Sequence, residues 1–343
     1  LRQETEFIVN DLKFSKYDDK GLLGITADTF ETKYVGQLTY WRLSTTGQLD
    51  EIQSVGLETG GVCLSESSGF SSFIYTGHTD PILRLWTKNN LVKPIKRYTY
   101  HNMSAEDLST SPFDSEEFVS CSKDSSFAMW TMTESEPIFT AVNEASYPML
   151  GVTYHPQNPS LLIAAPLDGR LELWNREDRK RIYTITPPDD LIFSCMSINP
   201  FDEYNMAVAD ETGHTYMWDL RKLRRPVHHF QAHSLAVSQI KFNPHDDKLL
   251  GTGGTDGFFH LWFMGTNQSK QEEQEDRDKE NALRLSGVET STGNLNVECL
   301  RSFKTHTLPI TTWDWSVHDL GLIGDAGSDY SLFLWNFVTE DDD

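Results

Sequence analysis

The stretch GTGGTDGFFHLW, residues 251–262, reads as a strand, a tight Asp-Gly turn and a second strand closed by tryptophan. The same arrangement recurs along the chain. LTYW ends at Trp41, LRLW at Trp86, FAMW at Trp130, LELW at Trp174, TYMW at Trp218 and LFLW at Trp335, at intervals, with Trp262 included, of 45, 44, 44, 44, 44 and 73 residues. A fixed interval near 44 marks one supersecondary unit repeated seven times. Six residues before Trp stand Asp80, Asp124, Asp168, Asp256 and Asp329; Val35 and Thr212 break the rule, but Gly36 and Gly213 follow them. His101, His233 and His306 precede their Trp by 29 residues. Segments such as IKFNPHDDKLLGTGG (240–254) and MSINPFDEYNMAVAD (196–210) fill the interval, so each repeat reads as four short antiparallel strands.

The length of 343 residues would by itself suggest two domains. Asp and Glu number 51 against 29 Lys and Arg, a net charge of −22, which argues against a nucleic-acid surface built on clustered cations. No apolar run approaches the roughly 20 residues that span a bilayer, and no leader pattern opens the chain. Cys63, Cys121, Cys195 and Cys299 lie far apart, reading as buried thiols in a reducing, intracellular compartment. The opening Leu1 reads as the start of a chain that is processed, trimmed or incomplete at that end.

The period, the Trp closing the third strand and the Asp in the preceding turn resemble the WD-repeat family, and the resemblance covers nearly the whole chain. It implies an all-β fold: one seven-bladed β-propeller over residues 1–343, four strands to a blade around a central channel. The last blade ends soon after Trp335, so its fourth strand is expected from the N-terminal segment, about Leu1 to Thr5. The 73-residue interval places a flexible, acidic insertion, residues 265–296, between the third and fourth strands of blade six.

His101, Ser120, Asp124 and Trp130 invite a hydrolase reading, yet His233, Thr252, Asp256 and Trp262 repeat the set at identical spacing. A triad has no reason to recur. In WD-repeat propellers such a tetrad resembles a structural network: Asp orients His, His bonds the hydroxyl, and the hydroxyl reaches the indole. Blade seven carries Asp325 in the hydroxyl position, and the remaining blades lack the His. GTGGTDG misses the phosphate-loop pattern, since Asp256 holds the third glycine position. His228, His229 and His233 lack an accompanying Cys or carboxylate. Trp313 and Trp315 match Ile240 and Phe242 of blade six, which points to core packing. No catalytic, metal or cofactor site, and no small-molecule substrate, is expected.

The loops between first and second strands carry Asp18 and Asp19, Glu66, Asp114 with Glu116 and Glu117, Asp202 and Glu203, Asp246 and Asp247, and Asp319. In a propeller they share one face, expected to be acidic and open to a basic protein partner; the competing account is that Asp suits turns and solubility. Arg176, Arg179, Lys180 and Arg181 follow Trp174, while Arg221, Lys222, Arg224 and Arg225 follow Trp218; salt-bridging within the protein is their simplest role.

Within the family, the chain resembles the small propeller nucleoporins of the Y-shaped nuclear-pore scaffold. The shared traits are an extended first-blade hairpin (ITADTFETKYVGQLTYWRLSTTGQLDEI), degenerate middle blades such as VSCSKDSSFAMW, better-formed fifth and sixth blades (MAVADETGHTYMWDLR, GTGGTDGFFHLW) and a long polar insertion. The resemblance implies a non-enzymatic scaffold subunit at the nuclear envelope, gripping other proteins of a large complex. Two alternatives stay open. One is a trafficking receptor of the kind that reads N-terminal peroxisomal targeting signals. The other is a cullin-ligase substrate receptor, for which Trp218-Asp219-Leu220-Arg221 matches the end of an adaptor-binding box, with Arg221 the contact.

Overall fold

The computed structural model describes residues 1–30, 33–186, 192–266 and 295–338, and every regular element within them is a β-strand. The strands form seven four-stranded antiparallel sheets, so the fold is a seven-bladed propeller. The innermost strands are Ile8–Phe14, Gly61–Glu66, Ala105–Thr110, Met149–Tyr154, Phe193–Ile198, Val237–Phe242 and Ile310–Trp315. Blade seven takes its outermost strand from Arg2–Glu4, which pairs with Ser331–Asn336 through Arg2 opposite Phe333 and Glu4 opposite Ser331.

The repeated tryptophans all stand on third strands. Each faces one second-strand residue in register: Leu22 with Trp41, Ile74 with Trp86, Phe118 with Trp130, Leu162 with Trp174, Met206 with Trp218, Leu250 with Trp262 and Ile323 with Trp335. A central strand covered by a neighbouring blade on each side has no solvent face, which is why Glu117–Ser122 and Leu249–Gly254 are buried throughout. The core is accordingly a set of clusters between blades. Tyr75 and Leu83 of blade two, for example, pack with Leu108, Phe118 and Trp130 of blade three.

The quoted GTGG owes its glycines to this stacking. A Cβ on Gly251 would stand 2.5 Å from Trp313, and one on Gly253 2.8 Å from the same ring. Gly257 supplies the left-handed turn residue after Asp256, at φ +78°.

Two features differ from expectation. Residues 265, 266, 295 and 296 belong to a lengthened hairpin, Phe258–Thr266 with Leu295–Lys304, in which Gly265 pairs with Asn296 and Thr266 with Leu295. The rest of the expected insertion, 267–294, lies outside the described residues. Nor are all the thiols buried: Cys63 and Cys121 are, Cys195 is half-buried and Cys299 is exposed, because an outermost strand has nothing packed beyond it.

Candidate interaction surface

The innermost strands line a channel of about 610 Å³. Each carries a β-bulge at the same register, with shifts at Val9/Asp11, Gly61/Cys63, Ala105/Asp107, Met149/Gly151, Phe193/Cys195, Val237/Gln239 and Ile310/Thr312. A bulge turns its side chain away from its own ladder, and here the turned side chain reaches the next blade. Asp11 accepts from the Leu64 N–H (2.9 Å), Asp107 from Val152 (3.0 Å), Gln239 from Trp313 (2.8 Å) and Thr312 from Leu12 (3.3 Å). Thiols serve at two positions, where Cys63 and Cys195 donate to the carbonyls of Ala105 and Val237 at 3.9 and 3.7 Å. Among the channel charges, Lys13 pairs with Asp11 (3.2 Å) and Lys241 with Asp314 (2.8 Å). Burial pushes Asp107 up to about 6, although backbone N–H groups oppose the shift.

Thiol chemistry should follow this placement. Burial holds the thiols of Cys63 and Cys121 well above their ordinary range and that of Cys195 near 12. Titration of the native protein with a disulfide reagent should therefore give one fast group, Cys299, and the Cys299→Ser variant should show none.

The two tetrads close as hydrogen-bonded networks. His101 bonds Asp124 through Nδ1 (3.1 Å) and Ser120 through Nε2 (2.8 Å), while the Trp130 indole donates to the same Ser120 oxygen (2.9 Å). His233 stands 3.0 Å from Asp256 and 2.9 Å from Thr252, whose oxygen accepts from Trp262 at 2.9 Å. Each hydroxyl is buried and held from two sides, which fits a network whose members satisfy one another. Blade two reaches the same end by another route. His78, on the second strand itself, bonds Thr76 (2.7 Å), which accepts from Trp86 (2.8 Å). Only alignment on Thr76 reveals this histidine, because it sits two residues beyond the hydroxyl and not in the preceding loop. In blade four the Trp174 indole goes to Glu172 (3.0 Å), itself paired with Arg181 (3.0 Å).

Blade seven is imperfect. Trp335 donates to Asp325 (3.2 Å) and His306 bonds Asp329 (2.8 Å). His306 Nε2 and Asp325 Oδ2 are 3.7 Å apart, and both are buried without a hydrogen-bond partner among the described residues. Burial raises the Asp325 carboxyl to about 6. A raised carboxyl favours the protonated native state, so its penalty appears as pH rises from 3.8 towards 6 and is complete above that. Asp325→Thr, which supplies the hydroxyl used in blade six, should raise stability. The gain, up to about 3 kcal/mol, should be larger at pH 7 than at pH 4 in denaturant titrations.

The acidic loops prove to be one repeated turn. A capping group, Ser15, Ser67, Ser111, His155, Asn199, Asn243 or Ser316, accepts N–H groups from residues two and three further on. The third residue is Asp18, Asp114, Asn158, Asp202, Asp246 or Asp319 in six blades. Its side chain accepts from the residue two beyond it, at 2.9–3.2 Å. These acids therefore have a local role in shaping the turn. Asp19, Asp114, Glu116, Asp202 and Asp247 are exposed, while Asp18, Glu203 and Asp246 are half-buried.

Glu117 does not join them. Buried at the start of its strand, it binds Arg176 by two bonds (2.7 and 2.9 Å) and accepts from the Tyr154 hydroxyl (2.8 Å). Glu66 is buried too, against Lys88 at 2.8 Å. The basic groups are tied down likewise. Arg221 pairs with Asp219 (2.8 Å) and lies over the Tyr204 ring at 4.5 Å.

Against this geometry, residues 224–262, the blade-six repeat, match the family model described as WD domain, G-beta repeat. The chain is 24% identical over 264 residues to the peroxisomal targeting signal 2 receptor of Schizosaccharomyces pombe, covering 77% of this chain and 75% of that protein. It is 26% identical over 160 residues to the E3 ubiquitin-protein ligase COP1 of Pisum sativum, covering 47% of this chain and 23% of the ligase. It is 23% identical over 218 residues to histone acetyltransferase type B subunit 2 of Candida glabrata, covering 62% and 51%. The chain thus spans three quarters of the first, under a quarter of the second and about half of the third.

Proposed function

We propose that this WD-repeat propeller is a non-enzymatic protein-interaction module, a rigid ring whose surface loops and blade edges hold partners within a larger assembly. The observation that carries this reading is the double occurrence of the hydroxyl, imidazole and carboxylate set, buried and bonded to an indole each time. Groups that could act on a substrate are engaged in bracing single blades from within. The reactive-looking residues stay inside while the loops stay outside.

A finer placement, as a structural subunit of the nuclear-pore scaffold, rests on the blade pattern; none of the three relatives named above is a nucleoporin. A second reading has its own support. The targeting-peptide-receptor reading rests on the likeness to the Schizosaccharomyces pombe receptor, which runs through three quarters of both chains at 24% identity. The ligase-receptor reading rests on Arg221, whose guanidinium is half exposed but already bound to Asp219.

Affinity purification of the endogenous protein with mass spectrometry separates these readings. Nucleoporins, peroxisomal import factors or a ligase adaptor would each select one. Recovery of no stoichiometric protein partner would overturn the module reading itself.

A further inference from the structure

The seven first-to-second-strand turns share one backbone design, and one side-chain position within it faces solvent in every blade. Two residues after the capping group stand Tyr17, Gly69, Phe113, Gln157, Phe201, His245 and His318, all exposed. Because the turns are alike, these positions recur around one mouth of the channel, whose wall includes Lys16, Pro156 and Val317 of the same turns. Tyr17, Phe113 and Phe201 are 42%, 46% and 51% exposed, and Phe70, beside Gly69, adds a fourth ring at 36%. The turn uses only the N–H of these residues, so its own bonds do not call for aromatic side chains. Rings repeated at an exposed position mark a contact surface.

The occupant follows from charge. The next residue is Asp18, Asp114, Asp202, Asp246 or Asp319 in five of the turns, and Asp19, Glu116, Glu203 and Asp247 follow closely. Among the described residues, none bonds the second carboxylate oxygen of Asp114, Asp202 or Asp246, whose first oxygen shapes the turn. An aromatic face with a carboxylate beside it favours a cation. A guanidinium suits it best, since it can stack on the ring and pair with the acid at once. The platform is also pre-formed. Ser15 bonds Glu66, Ser68 bonds the Ser111 carbonyl, Gln157 the Pro200 carbonyl (2.6 Å), Asn199 the Asp247 carbonyl (3.0 Å) and His245 the Ser316 carbonyl (3.0 Å), linking neighbouring turns. Little ordering is left for binding to cost.

We propose that this ring of turns is the docking surface for an arginine-rich segment of a partner protein, with guanidinium groups lying on Tyr17, Phe113 and Phe201 and pairing with Asp19, Asp114 and Asp202, since Asp18 is already held by Tyr40 and Arg42. The inference rests on the reading of the chain as an interaction module and names the class of partner that module takes.

The test is fluorescence anisotropy with labelled octa-arginine and octa-lysine peptides at physiological salt. Octa-arginine should bind, and more tightly than octa-lysine. The Y17A/F113A/F201A variant leaves the net charge unchanged and should weaken octa-arginine binding at least tenfold. D114N/D202N/D246N keeps the turn acceptors and should weaken binding while flattening its salt dependence. E6Q/E58Q/E211Q, which alters exposed acids at the opposite end of the ring, should leave affinity within twofold, and melting curves confirm that each variant is folded. Wild-type affinity in the aromatic variant would overturn the proposal. So would an equal loss in the opposite-face variant, which would mark general attraction to a chain of charge −22. Partner recovery in the affinity purification tests the module reading separately: if partners appear but the aromatic variant binds octa-arginine unchanged, only the docking surface fails.

Discussion

Trp130→Ala should cost about 3–5 kcal/mol of stability, the range for emptying a large aromatic site in a core. Trp130 is wholly buried, with its ring centroid 5.5 Å from Tyr98 and 6.0 Å from Phe118, and its indole donates to Ser120. Truncation removes the ring stacked between blades two and three and leaves the Ser120 hydroxyl held by His101 alone. Trp130→Phe keeps most of the apolar volume and loses the indole N–H, so it should cost less, about 1–3 kcal/mol. Trp174→Ala supplies the comparison, because that ring is only partly buried and its indole serves a Glu172 that Arg181 already holds. The expected order of denaturant midpoints is wild type, then Trp174→Ala, then Trp130→Ala. A Trp130→Ala midpoint at or above that of Trp174→Ala would refute the account of the tetrad as a structural network.

Glu66→Ala should cost a similar amount, about 3–5 kcal/mol, for an electrostatic reason. Glu66 is 2% exposed and holds three groups from two blades: the Ser15 hydroxyl (2.9 Å), the Lys16 N–H (2.5 Å) and the Lys88 ammonium (2.8 Å). Removing the carboxylate leaves Lys88, 8% exposed, as a buried cation without its counter-charge. The double variant Glu66→Leu/Lys88→Met removes both charges together and should recover most of the loss, since burying the pair already carries a desolvation penalty that apolar residues avoid. Arg221→Ala is the exposed control. Its guanidinium is half exposed, so its ion pair with Asp219 is screened by water on one side, and its loss should change stability by less than about 1 kcal/mol. Urea titrations of the four proteins check the ranking. A double variant no better than Glu66→Ala would show that the loss lies in the Ser15 and Lys16 bonds, not in the stranded charge.

The contrast between Glu66 and Asp114 shows how far sequence carries a site. Read from the sequence, both fall among the acidic loops after innermost strands, although Glu66 stands 20 residues before Trp86 and Asp114 stands 16 before Trp130. Asp114 belongs to the turn and bonds a residue two positions away. Glu66 is the last residue of its strand, and its partners come from positions 15, 16 and 88. Glu117 differs for the same reason, since Arg176 arrives from the neighbouring blade. The aromatic ring of turns was within reach of the sequence. The pattern of a capping Ser, His or Asn, a variable residue, an aromatic or polar residue and then Asp or Asn is visible once the repeats are aligned on the cap instead of on Trp.

The sequence by itself determined the number of blades, the strand that bears each Trp and the His-hydroxyl-Trp sets of blades three and six. These follow from contacts within one repeat, so a fixed spacing records them. Only the tertiary structure decided which carboxylates are buried, how bulge side chains on six of the seven innermost strands reach the next blade, and that His78 replaces the loop histidine in blade two. It also set the register of the closing strand expected from Leu1 to Thr5, with Arg2 opposite Phe333 and Glu4 opposite Ser331. The physical reason is ring closure. This propeller sets each sheet against a neighbour whose facing residues are about 45, about 73 or about 300 positions distant, and no local spacing records which side chain meets which across that gap.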